Sequence, residues 1–164
     1  HDPFRHRVLP VPHRPGHDDG EFAALLGGGY IYLKHLRRMG DWHGDFVAIA
    51  EQFLGTPYYW GGKTRAGLDC SGLVQISRQA CGETCLRDTD MQENTAATSE
   101  VKGHALQRGD LVYWPGHVGI MQSATQIIHA NGFHMQVTSE LLSKVAARSD
   151  KPITSVKRHS IAPK

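Results

Sequence analysis

Cysteine is scarce in this chain: three residues in 164. An odd number that small is no disulfide framework. Cys81 and Cys85 could bridge locally or stand as two buried thiols. No run approaches the roughly 20 apolar residues that cross a bilayer. Charge of one sign is also missing. A formal net charge of +2 gives no footing for nucleic acid or an anionic membrane as partner, though the eleven histidines would add charge in mild acid. The opening "HDPFRHRVLPVPHRPGHDDG" has no apolar core and does not read as a secretory signal. The chain starts on His1 and not on Met, so that absence says nothing of compartment. Metal signatures are lacking too. There is no HExxH and no paired CxxC, and "CGETC" has no downstream ligand pair to complete a site. No metal and no cofactor is expected.

What is present suits a folded domain. Apolar residues make up 40% and charged residues 21%, and the length fits one domain or one domain with an appendage. Residues 1–20 carry no sustained period, and Gly27-Gly28-Gly29 read as a turn between strands near 21–26 and 29–34. Asp45 reads as the cap of a helix in which Phe46, Ile49, Ala50 and Phe53 share a face, ended by Gly55 and Pro57. A second helix is expected from about Ser71 to Gly82, with Leu73 and Val74 as its anchor. Residues 86–109 read as a long surface loop, functional or holding a short helix. Short β-like runs separated by turn residues then predict an antiparallel meander near 111–115, 117–122, 126–130 and 135–138, with Thr138 capping a last helix. Helices first and strands afterwards point to an α+β fold.

Chemistry concentrates on "GLDCSGLV". A thiol is a nucleophile only as thiolate, and a helix N-terminus with a neighbouring imidazole favours that form. Cys70 stands at such a helix start. His117 opens the expected strand "HVGI", where a neutral ring nitrogen can take a thiol proton. His129 lies twelve residues on, in "QIIHA". Neighbouring antiparallel strands can bring the two rings together, with His129 fixing the orientation of His117.

The run "GTPYYWGGKTRAGLDCSGLVQ", followed by "RDTDMQ", "RGDLVYWPGHVGIM" and "IIHA", resembles the NlpC/P60 family of cell-wall cysteine peptidases over roughly residues 45–158. The resemblance implies a papain-like α+β core, a cysteine-bearing helix packed on an antiparallel sheet that bears the histidines. It implies cleavage of peptidoglycan stem peptides or muropeptides, commonly at the bond after γ-D-glutamate. Carried over by position, Cys70 is the nucleophile, His117 the base and acid, and His129 the orienting residue. Tyr58 would share the oxyanion with the Cys70 N–H, Tyr59 being the alternative. Trp60 would line the pocket, and Gly61-Gly62 would turn the chain beneath it. Asp69 and Ser71 would form the rim of the substrate site. Asp88 and Thr89 resemble the Asp-Ser pair that holds a substrate amine in some relatives, with threonine here in place of serine.

Two units are expected, a partial SH3-like β segment and linker over 1–42 and a catalytic domain over 43–164. A non-catalytic wall-binding module is one alternative, against which stand the intact cysteine and histidines. A thiol amidase or acyltransferase on the same core is another, and the order Cys, His, His favours the peptidase over the rearranged acyltransferases. Compartment, oligomeric state and the choice between intact wall and free muropeptide have no signature in the sequence.

Overall fold

The computed structural model describes residues 22–25, 28–38, 40–95, 98–101 and 105–159. The reading given to residues 1–20 lies outside them. The chain divides into two units after Asp41. In the first, β1 (Phe22–Ala24) and β2 (Tyr30–Tyr32) pair antiparallel, Phe22 opposite Tyr32. A single 3-10 turn, Leu33–His35, follows. Both strands are shorter than their hydrophobic runs, and these elements alone do not show an SH3-like module.

The second unit begins with α1 (Phe46–Glu51), whose cap Asp45 accepts from the Val47 N–H at 2.9 Å. A small hairpin, β3 (Lys63–Thr64) and β4 (Gly67–Leu68), leads straight into α2 (Cys70–Ala80). After α2 in the chain come α3 (Thr89–Glu93) and β5 (Thr98–Glu100), so the stretch read as loop carries two short elements. Then come β6 (Leu111–Trp114), β7 (His117–Met121), β8 (Gln126–Asn131), β9 (Gln136–Leu141), α4 (Leu142–Arg148) and β10 (Ser155–His159). Six strands form one antiparallel sheet in the order β5-β10-β6-β7-β8-β9. The α+β expectation holds.

Alternation along the strands gives the sheet two apolar faces. Leu111, Tyr113, Val118, Ile120, Ile128, Ala130 and Val137 pack with Leu68, Leu73 and Val74 under α1 and α2. Val112, Trp114, Met121 and Ile127 pack with Val145 and Leu142 of α4. Each fully buried aliphatic side chain contributes about 1.5–3 kcal/mol. Only β6, β7 and β8 are covered on both faces by these residues, and that fixes their register.

Thr138 is not a helix cap. It sits within β9 opposite His129, and its hydroxyl accepts from Asn131 Nδ2 at 2.8 Å. The six-pair ladder from Gln126–Leu141 to Asn131–Gln136 overrides the local cap signal. The last helix accordingly starts three residues later than expected, at Leu142, without a side-chain cap.

Candidate active site

The start of α2 is fixed from three directions. Asp69 Oδ1 accepts from the Gly72 N–H at 2.7 Å, capping the helix, while Oδ2 accepts from the Gly61 N–H at 2.8 Å. The Arg87 guanidinium donates to both oxygens of Asp69 and, at 2.9 Å, to Ser71 Oγ. The Gly61-Gly62 turn lies directly on the first helical turn. A Cβ at Gly72 would stand 2.4 Å from the Gly62 carbonyl oxygen, so only glycine fits. Asp69 and Ser71 are both buried and their polar atoms are committed to this network. Burial pushes the Asp69 carboxyl up, but Arg87 and the two amides outweigh it and hold it below the usual range.

Helix α2 packs on β7 and β8, and its N-terminus delivers Cys70 to the start of β7. Those strands pair at Ile120–Ile128 and Met121–Ile127, and the start of β7 lies beyond that stretch. Cys70 Sγ rests there, 4.0 Å from the Gly116 carbonyl oxygen and 3.9 Å from Thr89 Oγ1. The Val118 N–H also points at it, so the sulfur touches backbone on either side of His117. No hydrogen bond joins Sγ to the His117 ring among the described contacts. Burial raises the thiol pKa, and the Val118 amide and Thr89 hydroxyl pull it only part of the way back. A helix start alone therefore does not make Cys70 a thiolate here, because the desolvation of a residue only 7% exposed dominates.

The two histidines meet as the strand pattern implied. His117 Nε2 lies 2.8 Å from His129 Nδ1, with ring centroids 5.0 Å apart. Trp114, opposite His117 across the β6–β7 hairpin, flanks its ring at 5.7 Å. His129 is buried, and its Nε2 lies 2.8 Å from Glu140 Oε1. Glu140 is held in turn by both terminal nitrogens of Arg148. Burial, then the charges of His129 and Arg148, lower His117 to about 3. Burial lowers His129 as well, against the pull of Glu140. Both imidazoles are therefore neutral at ordinary pH.

Tyr58 is half-buried against the core that contains Cys70, tied by its N–H to the Met135 carbonyl. Burial, then the charges of Cys70 and Asp69, raise its phenol, which places it within electrostatic reach of the thiol. Tyr59 and Trp60 are 68% and 81% exposed, so both rings lie on the surface. Asp88 is exposed at the N-cap position of α3 and makes no capping bond. Sequence reasoning missed three participants: Arg87, Glu140 and Arg148. Arg87 heads the "RDTD" stretch and carried a signal; the other two are visible only once the strand register is known. Among the described residues no cluster of three or more His, Cys, Asp or Glu could hold a metal ion. No helix among them is long and apolar enough to cross a membrane.

Against known proteins, residues 55–152 match the model of the NlpC/P60 family. The chain is 36% identical over 87 residues to dipeptidyl-peptidase 6 of Lysinibacillus sphaericus, which covers 53% of this chain and 32% of that protein. It is 36% identical over 148 residues to a gamma-DL-glutamyl hydrolase of Bacillus subtilis, covering 71% of this chain and 35% of the relative. It thus spans about a third of the length of these two relatives. Among solved structures, the peptidoglycan hydrolase RipB of Mycobacterium tuberculosis superposes with a TM-score of 0.59 at 27% identity, covering 73% of this chain and 64% of that one.

Proposed function

This chain belongs to the NlpC/P60 family, and we propose that it is a cysteine peptidase that hydrolyses amide bonds in peptidoglycan stem peptides, at the linkage between γ-D-glutamate and the diamino acid. One observation carries the reading: the sulfur of Cys70 sits against the peptide that bears His117, and His117 is bonded through Nε2 to His129. That bond leaves His117 Nδ1 as the nitrogen available to a proton donor. The names of the two curated relatives, a dipeptidyl-peptidase and a γ-DL-glutamyl hydrolase, support the substrate class.

The resting pair is a neutral thiol and a neutral imidazole. Attack begins when Sγ turns from Gly116 O and Thr89 toward His117 Nδ1. The thiol proton passes to Nδ1 as sulfur bonds the carbonyl carbon, and the carbonyl oxygen gains the charge. The Tyr58 hydroxyl and the Cys70 N–H donate to that oxygen, and one such donor is worth about 10²–10³ in kcat. Collapse breaks the C–N bond, and the proton on Nδ1 leaves with the amine. Water then attacks the thioester, giving its proton to Nδ1. Sγ leaves and recovers that proton, and the free carboxyl product departs. In this reading, exposed Asp88 and the Thr89 hydroxyl, which lies 3.9 Å from the sulfur, would receive an amine of the substrate.

The test is to incubate the protein with intact sacculi and with soluble muropeptides and to identify products by mass. Release of fragments with a new diamino-acid N-terminus, absent with Cys70→Ala, is the expected result. Cleavage of neither substrate, or equal cleavage by the variant, overturns the reading.

A further inference from the structure

We propose that Glu140, gripped by Arg148, is a positioning residue that decides which nitrogen of His117 carries the proton. The inference rests on the reading of His117 as the base. A carboxylate bound by a guanidinium through both oxygens is ionised and can only accept hydrogen bonds. His129 Nε2 must then own the hydrogen in its 2.8 Å bond to Glu140 Oε1. A neutral imidazole has one N–H, so His129 Nδ1 is a bare acceptor. The 2.8 Å contact between that atom and His117 Nε2 is consequently a bond that His117 donates. His117 Nδ1 keeps its lone pair, the state in which it can take the proton of a thiol. With both rings neutral, any other assignment sets two hydrogens or two lone pairs face to face at one of these contacts.

Strand register explains why Glu140 and no neighbour does this. His129 stands opposite Thr138 and Ile127 opposite Glu140, so Glu140 is diagonal to His129 on the same face. A glutamate spans that diagonal, and an aspartate is one methylene short. Arg148 reaches back from the end of α4, its guanidinium stacked 4.5 Å from the Phe133 ring. The Glu140 side chain is only 12% exposed, so water competes little for the carboxylate. His134 Nε2, at 3.5 Å, is the other group near the same oxygen.

Ring ¹⁵N shifts of the full chain test the assignment directly. The expected wild-type pattern is a protonated Nε2 and a bare Nδ1 on both His117 and His129. A protonated Nδ1 on His117 overturns the proposal without any variant. Glu140→Gln is the sharper probe, because its amide cannot satisfy both neighbours: either way round, an NH₂ group meets an N–H of Arg148 or of His129. The expected result is a fraction of Nδ1-protonated rings and a kcat lower by about 10- to 100-fold, by analogy with the loss of a partner that orients a metal-bound imidazole. KM should stay within about twofold, as Glu140 touches no substrate. Adding Arg148→Met frees the amide oxygen for His129, restoring the Nε2 tautomers and part of kcat. A merely structural glutamate would make the double variant worse on both counts. Lost turnover with wild-type tautomers, or unchanged turnover with shifted ones, also overturns the proposal. The ring pattern needs no substrate, so it stands or falls separately from the peptidase reading.

Discussion

Arg87 closes a two-pronged ion pair onto Asp69, the residue that caps the helix bearing Cys70. The pair joins the segment before α3 to the N-terminus of α2, and Thr89, two residues beyond Arg87, then falls 3.9 Å from the sulfur. Asp69 and Ser71, at the N-terminus of α2, are both tied to Arg87.

Asp69→Ala should therefore be more destabilising than Arg87→Met. The first removes a helix cap, worth about 1 kcal/mol, leaves the Gly61 amide without its acceptor, and strips Arg87 of both carboxylate oxygens while its bond to Ser71 Oγ stays. The second leaves Asp69 bonded to Gly72 and Gly61. A total loss of about 2–3 kcal/mol is expected for Asp69→Ala, and roughly half of that for Arg87→Met. Because the Asp69 pKa is lowered on folding, this contribution is present above the ordinary aspartate pKa of 3.8 and fades as pH falls below it. Urea unfolding of both variants checks the order, and the reverse order would show that Arg87 is the senior partner.

Cys70 should alkylate as a buried neutral thiol. Its pKa is raised above the ordinary 9.0, so the rate of iodoacetamide modification should climb through neutral pH without a plateau. Peptide mapping separates it from buried Cys81 and Cys85, which no disulfide joins. A plateau in mild acid would instead mean a resting thiolate–imidazolium pair. Cys70→Ala should retain the thermal stability of the parent, since it removes a single sulfur from the edge of the core.

Elements specified by neighbouring residues were legible in the chain. Asp45 and Asp69 announce their helices, and the short apolar runs of β6 to β8, set off by turn residues, announce strands. Elements specified by distant partners were not. β10 reads as polar, and it is a strand because Ser155–Lys157 pair with Leu111–Tyr113 while Arg158 binds the buried Asp110. Glu140 sits in "SELL", which looks helical, and becomes part of the histidine chain only through the β8–β9 register. The thiol and the two rings stood out as residue types. The protonation states that burial imposes on them could not be read before the packing was known.

Folding should become less favourable as pH falls, in two steps. His117 binds a proton near 6.5 when unfolded but only at about 3 when folded. Between those values the unfolded chain holds more protons, so stability drops with pH. His129 acts in the same direction. Glu140, lowered by Arg148 to about 2 from 4.5, adds a second loss below its unfolded value. Thermal unfolding from about pH 7 to about pH 4 at constant ionic strength should show a falling Tm, and His117→Gln should flatten the upper part of that slope. An unchanged slope in the variant would mean that the ring is protonated in the folded chain.

Gly119 lies between the two histidines in sequence and beneath them in the sheet. A Cβ there would stand 2.5 Å from Cδ1 of Ile127, 2.8 Å from its Cγ1 and 3.3 Å from Cβ of His129. Ile127 is fully buried against Val112, Trp114 and Met121, so it has nowhere to swing. Gly119→Ala should cost about 1–3 kcal/mol as overpacking. It should also move β8 away from β7 at the very residue whose ring bonds His117. The expected result is a lower Tm together with a kcat reduced more than KM is changed. Ile127→Val deletes the nearest clashing atom, Cδ1, and combined with Gly119→Ala it should recover part of both losses. If Gly119→Ala alone keeps its Tm and its turnover, then the strands have slack at this point and the histidine pair is not held by their close approach.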